Sequence, residues 1–180
     1  GKAIRDRRDA VFLMTKVSVH GRDARVAMRQ LEDSLTRLKT DYLDLWQVHE
    51  VVFDDEPAKY FAKGGVVEAL DRAREQGKVR FVGFTGHKDP RLHLEMLTGG
   101  YQWDACQLPL NCFDASFRSF EHRVLPELLR RGIAPIGMKS LGGDARAFFV
   151  RFGLAPDEAG LDVAPLLTEL LCAGGGEGEQ

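Results

Sequence analysis

Cysteine is scarce in this chain. Its 180 residues hold three, Cys106, Cys112 and Cys172, with no CxxC pair and no zinc-like spacing. So sparse and odd a set argues against a disulfide framework and suits a reducing compartment, so a cytoplasmic location is expected. No apolar run approaches the ~20 residues needed to cross a bilayer, and the opening stretch "GKAIRDRRDA" is too polar for a signal peptide. An excess of one charge is missing as well: 25 Lys and Arg stand against 27 Asp and Glu, a formal net charge of -2. With no basic stripe interleaved with aromatics, there is no electrostatic case for nucleic acid or an anionic membrane as partner. No GxGxxG follows the first strand-like run. "GMKSLGG", residues 137–143, resembles a phosphate loop only in spacing, because it lacks the Lys-Ser/Thr pair.

What the chain does have is a 44% hydrophobic fraction distributed in two periods. Short β-like runs are predicted at Val11–Thr15, Leu43–Val48, Val79–Phe84, Ala105–Leu108 and Ile133–Gly137. Their starts lie roughly 25 to 35 residues apart, the length of a βα unit with a right-handed crossover. They are mostly apolar rather than alternating, which fits a parallel sheet covered by helices. Between them the spacing is helical. Leu31, Leu35 and Leu38 recur at i, i+4, i+7, with Ala24, Ala27 and Met28 extending the stripe. Val66, Leu70 and Ala73 repeat it before Gly77. Val124, Leu125, Leu128 and Leu129 repeat it again before Gly132, in "FEHRVLPELLRRG". Asp89-Pro90 reads as an N-cap followed by the favoured first-turn proline.

Repeated βα units with polar residues just past each strand point to an α/β fold of the (β/α)8 TIM-barrel kind, in which chemistry gathers at the C-terminal strand ends. Eight units need roughly 250 residues, and about five are legible. The expected architecture is therefore an incomplete barrel over residues 1–154, part of a longer polypeptide, with two open sheet edges and a half-covered interior. Residues 155–180 read as one helix-like segment and a flexible Gly/Glu tail, "GGGEGEQ".

At the predicted strand tips stand Lys16, His49, Thr85-Gly86-His87, Gln107 with Asn111, and Met138-Lys139. Strand parity puts Gln47 and His49 on the face of Leu43 and Leu45, and Lys16 on the face of Phe12 and Met14. A buried amide such as Gln107 must find partners for its donors and its acceptor. His87 reads either as a site residue or as a cap for the helix beginning at Asp89. His20, His93 and His122 read as solvated, Tyr60 and Tyr101 as loop residues, and Cys106 as a small buried hydrophobe.

Together, "VFLMTKV", "SLTRLKTDYLDLWQVHE", "GKVRFVGFTGH", "ACQLPLNCFD" and "GIAPIGMKSLGG" resemble the aldo-keto reductase family, in order and spacing, over roughly Gly1 to Gly143. The nearest branch is the one with "TGH" and "MK-LGG" elements. The resemblance implies NAD(P)H-dependent reduction of an aldehyde or ketone, or the reverse oxidation, with NADP(H) preferred over NAD(H) and no metal in the site. It implies that Lys16 is the active-site lysine and His49 the histidine that orients the carbonyl. Thr85 and Gln107 would hold the nicotinamide carboxamide, with Gly86 where many members have Asn. Met138 would replace a stacking tyrosine, and Lys139 and Leu141 would lie along the pyrophosphate. The family's proton-donating tyrosine, and the aspartate that pairs with its lysine, belong to segments not found in this sequence; Tyr42, Tyr60 and Tyr101 occupy the wrong places. The chain alone is therefore expected to be inactive. Glu50 and Val51 follow the histidine where an aromatic residue is common, so the pocket is expected to be unfamiliar. A non-catalytic, nicotinamide-binding regulatory barrel and an inactive fragment are the alternative readings. The oligomeric state is not legible.

Overall fold

Residues 1–18, 23–111 and 117–140 are described by the computed structural model of the protein. Leu141, His20, Cys112, Cys172 and the segment 155–180 lie outside the described residues. Five strands, β1 Met14–Val17, β2 Leu43–Val48, β3 Val79–Thr85, β4 Ala105–Pro109 and β5 Ala134–Met138, form one sheet in chain order. Every neighbouring pair is parallel. Consecutive parallel strands with helical returns are the arrangement of an incomplete (β/α) barrel. The first strand begins three residues later than the sequence suggested. The Leu13 carbonyl still accepts the Asp44 and Leu45 N–H groups of β2, at 2.9 and 3.3 Å, but its own N–H goes to the Asp44 carboxylate at 2.8 Å instead of a strand carbonyl.

Helices α1 Ala24–Leu38, α2 Glu56–Phe61, α3 Val66–Glu75 and α4 Pro90–Thr98 carry the returns, followed by two short helices, α5 Phe120–Arg123 and α6 Leu125–Arg131. Helix α1 starts where the Asp23 carboxylate accepts the N–H groups of Arg25 and Val26, at 2.8 and 3.1 Å. It turns Ala24, Ala27, Met28, Leu31 and Leu35 inward. At ~1.5–3 kcal/mol per large apolar side chain, this stripe is what docks the helix; intrinsic propensity adds little. Pro126 splits the last predicted helix, because a proline lacks the N–H and its ring crowds the carbonyl four residues back. The split rotates the expected stripe, and Leu129 is left 62% exposed. Helix α2 was read as loop. It forms behind Pro57 and buries Tyr60.

Sheet register divides the strand residues into two faces. Val17, Trp46, Val48, Val82, Phe84, Cys106 and Leu108 face the helices and form the core with α1, α3 and α4. The opposite face carries Lys16, Gln47, Gly83, Ala105 and Ala134 as one lateral row of register partners. Below this row Met14 pairs with Leu45, and Leu45 with Phe81. Phe12 stacks on Phe81 at 6.3 Å, and Phe12, Met14 and Phe81 remain substantially exposed. The inner face is thus half covered among the described residues, and β1 and β5 are its open edges. No helix among the described residues is long and apolar enough to cross a membrane.

Candidate active site

The inner row continues upward to the C-terminal strand ends. Thr85 pairs with Gln107, Gln107 with Ile136, and Pro109 with Met138. The sequence-expected positions Lys16, Thr85, Gln107 and Met138 therefore share the inner face, while His49 and Gly86 extend β2 and β3 by one residue each. Lys139 follows β5 directly, exposed, with left-handed backbone at φ 55°. Its direction relative to the row is set by that turn.

Beyond β2 the chain folds over the tip of β3. The Thr85 hydroxyl oxygen accepts the Glu50 N–H at 3.0 Å, and the Thr85 carbonyl accepts the Val51 N–H at 2.8 Å. One turn later the buried Glu56 carboxylate accepts the N–H groups of Val52 and Phe53, at 2.6 and 2.8 Å. Four backbone donors are thus satisfied within five residues of His49, which makes a rigid mount out of a loop.

His49 is half-buried. Burial holds its imidazole below the usual value of 6.5; the charges of Lys16 and His87 act in the same direction and Glu50 opposes them. The group is accordingly neutral near pH 7, with one N–H to donate. The His49 backbone N–H bonds the Val17 carbonyl at 3.1 Å, so His49 follows β2 beside the end of β1 that carries Lys16, 33 residues away in the chain. No ion pair among the described residues involves Lys16.

Gln47 went unnoticed as a site residue in the sequence beyond its parity with His49. It is fully buried, and its Nε2 donates a long bond of 3.4 Å to Gln107 Oε1. Its own Oε1 has no partner. A buried amide acceptor without a donor is costly, and it calls for a donor delivered from outside the described residues. A primary carboxamide meets that need. The Thr85 hydroxyl, having accepted from Glu50, still has its proton to give; Gln107 has both amide hydrogens; and Gln47 Oε1 can receive. The residues present fit a nicotinamide carboxamide.

Gly86 contributes no side chain because none fits. A Cβ there would stand 2.6 Å from His93 Cε1 and 2.8 Å from the Val51 carbonyl oxygen. His93 corrects the sequence reading. It is fully buried rather than solvated, wedged between Phe84 and Phe120 with ring centroids at 5.3 and 4.9 Å. His87 does not cap the following helix; Asp89 does so itself, accepting the Arg91 N–H at 2.9 Å. Instead His87 Nε2 meets Glu50 Oε1 at 2.9 Å. None of the three tyrosines stands at the C-terminal tip of a strand. Tyr42 bonds Asp9, Tyr60 is in the core, and Tyr101 bonds Asp71.

A profile of the aldo/keto reductase family matches residues 1–159. The 6-dehydroglucose reductase of Novosphingobium aromaticivorans is 29% identical over 146 residues, 76% of this chain and 44% of that protein. Methylglyoxal reductase YeaE of Escherichia coli is 32% identical over 128 residues, 70% of this chain and 41% of that protein. The chain thus spans less than half the length of these curated relatives. Among solved structures, the holo form of an aldo-keto reductase from Bacillus halodurans aligns with TM-score 0.62 and 26% identity, over 74% of this chain and 42% of that one. A five-stranded parallel arc with a lysine, a histidine and two amides at its strand tips therefore has a family, and this chain belongs to the aldo/keto reductases.

Proposed function

We propose that this chain forms part of a longer reductase that converts an aldehyde or ketone to an alcohol with a nicotinamide coenzyme, or runs the reverse oxidation. The observation that carries this reading is the shared inner face: Lys16 beside Gln47, and Thr85 beside Gln107, with His49 mounted between them. When bound, NADP(H) or NAD(H) supplies the hydride. Thr85, Gln107 and Gln47 would hold its carboxamide, Met138 would lie against the nicotinamide ring, and Lys139 would serve the phosphates, the role also proposed for Leu141 outside the described residues.

Hydride arrival at a carbonyl carbon builds negative charge on its oxygen, which needs a donor already in place. A neutral His49 donates its N–H to that oxygen and fixes the carbonyl's direction. The Lys16 ammonium favours the anionic form of a neighbouring hydroxyl acid, easing proton delivery. None of the chain's three tyrosines stands at a strand tip, so the proton donor is not one of them. Residues 1–180 alone are accordingly proposed to bind coenzyme without turning over carbonyls at enzymatic rates.

The test is a titration with NADPH and with NADH, followed by coenzyme consumption with a panel of aldehydes and ketones. Trp46 and Trp103 are buried on the helix side, so the coenzyme's own fluorescence is the better signal. Saturable binding by a folded sample supports the coenzyme site, coenzyme consumption by the full-length protein separates a reductase from a non-catalytic nicotinamide-binding barrel, and the stronger of the two titrations fixes the coenzyme preference, expected to be NADP(H). A folded sample that binds neither coenzyme overturns it.

A further inference from the structure

Glu50 is one of only four non-glycine residues with positive φ among the described residues; its φ is 59°. An L-residue there is strained, and the strain immediately follows His49. What holds it is specific: the Glu50 N–H on Thr85 Oγ1 at 3.0 Å, and the carboxylate on His87 Nε2 at 2.9 Å. Neighbouring contacts fix both loops. The Lys88 ammonium lies 5.7 Å from the centre of the Phe53 ring, and Arg91 pairs with Asp54 at 2.7 Å.

A partly exposed side-chain hydrogen bond of this kind contributes little to stability, so stability does not account for a strained backbone built to present this one. The pair is also incomplete. The side chains are 34% and 36% exposed, and no described residue takes the second carboxylate oxygen of Glu50 or Nδ1 of His87. One strong acceptor and one imidazole nitrogen are therefore open to solvent, next to the group proposed to orient the carbonyl. The charges of both Glu50 and His87 are felt at His49.

The geometry points to a substrate-reading pair: Glu50 and His87 bind a hydroxyl group adjacent to the carbonyl, so that neutral hydroxy-aldehydes and hydroxy-ketones are preferred over oxo acids. The hydroxyl hydrogen goes to the free Glu50 oxygen, while His87, whose Nε2–H is given to Glu50 Oε1, holds that carboxylate in place and offers Nδ1 as a second acceptor. An anionic carboxylate in the same place meets the Glu50 charge at close range and is disfavoured. A plain ketone leaves both groups unmatched.

This inference rests on the reductase reading for the carbonyl's placement, and binding can be measured separately from turnover. Dissociation constants for hydroxyacetone, acetone and pyruvate are read by saturation transfer to ligand protons, with coenzyme present, for the wild type, Glu50→Gln and His87→Asn. Hydroxyacetone is expected to bind about tenfold more tightly than acetone or pyruvate, the size of one hydrogen bond to a charged group. In Glu50→Gln that margin should shrink to within about twofold over both; in His87→Asn, where the Glu50 carboxylate loses its anchor but keeps its charge, the margin over acetone should shrink to within about twofold and the preference over pyruvate should remain. His87→Asn keeps the Glu50 N–H bond to Thr85 Oγ1 that holds the strained backbone, so it reports even where Glu50→Gln fails to fold. Equal affinity for the three ketones, no detectable binding of hydroxyacetone, or a preference that survives both substitutions overturns the proposal. Hydroxyacetone-selective binding by a full-length enzyme that consumes no coenzyme would sink the reductase reading and leave the pair standing.

Discussion

Lys16 and Gln47 are register partners on adjacent parallel strands, so an ammonium-bearing stem and a buried amide stand side by side on the inner face of the sheet. The unpartnered Oε1 of Gln47 makes this relationship testable. Gln47→Leu removes a buried acceptor that folding leaves unsatisfied, together with the long 3.4 Å bond to Gln107 Oε1, so the two effects offset and stability should stay within about 1 kcal/mol. Coenzyme affinity should fall roughly tenfold, because one carboxamide hydrogen bond is lost. Urea midpoints and a fluorescence titration read the two effects apart. A parallel loss of both would show that the amide serves the fold instead.

His49→Ala in the full-length enzyme should lower kcat/KM by roughly two orders of magnitude or more, the usual range for a positioned donor. The acid limb of the pH profile should lie below 6.5, because burial depresses the imidazole, with Lys16 and His87 adding to the effect. Glu50→Gln removes the one charge that opposes them and should move that limb to still lower pH. A limb that moves upward contradicts the assignment.

Asp44 lies at the other end of the same strand, 2% exposed. It accepts from the Leu13 N–H at 2.8 Å, Arg8 at 3.0 Å and Arg80 at 2.7 Å. Burial pushes its carboxyl upward, and the bonds from Leu13, Arg80 and Arg8 outweigh it, leaving the group below 3.8. A depressed carboxylate stabilises fully above its unfolded value, and that contribution is lost as pH falls through the folded one. Asp44→Asn should cost about 1–3 kcal/mol at pH 7, because the part-buried Arg8 guanidinium loses its counter-charge while keeping its bonds to Thr40, Val11 and Tyr42. It should also flatten the stability curve below pH 4.

His93 supplies a second, separate acid window. Burial is the main cause that drives its imidazole down to about 4, although the backbone of Gln107 and Asp89 favours the charged form. The unfolded chain takes up this proton first, so stability falls from pH 6.5 towards 4, by up to about 1.4 kcal/mol per pH unit. His93→Leu should abolish that slope while leaving the Asp44 transition in place. Denaturation midpoints between pH 7 and 4 decide the matter.

Gly83 stands between Gln47 and Ala105 in the inner row. A Cβ added there would lie 2.5 Å from the Ala105 carbonyl oxygen, a backbone atom that can move only with its strand. Gly83→Ala should destabilise by about 1–3 kcal/mol and weaken coenzyme binding as β3 and β4 separate. Unchanged melting would mean the sheet is looser than the register implies.

Much of the architecture was legible in advance. The strand Leu43–Val48 falls where its apolar run predicts, and α1 and α3 bury the residues their spacing nominates, because one face of each must leave water. Errors fall where local pattern competes with a single residue. Pro126 divides a helix, Leu13 gives its N–H to the Asp44 carboxylate instead of a strand carbonyl, and Pro57 opens a helix inside apparent loop. In the site, a motif could nominate Lys16, His49, Thr85 and Gln107. Gln47, His93 and the bond between Glu50 and His87 could not be found this way, since each depends on what lies across the sheet.

The sequence by itself determined the period of the fold and the chemical types available at the strand ends, since both are properties of neighbours along the chain. Only the tertiary structure decided which of those groups meet. Parallel register sets Lys16 beside Gln47 and Thr85 beside Gln107, and the turn after His49 brings Glu50 to His87. Such pairings join residues 22 to 37 positions apart, and contacts of that range are fixed by packing and hydrogen bonding across strands rather than by local propensity.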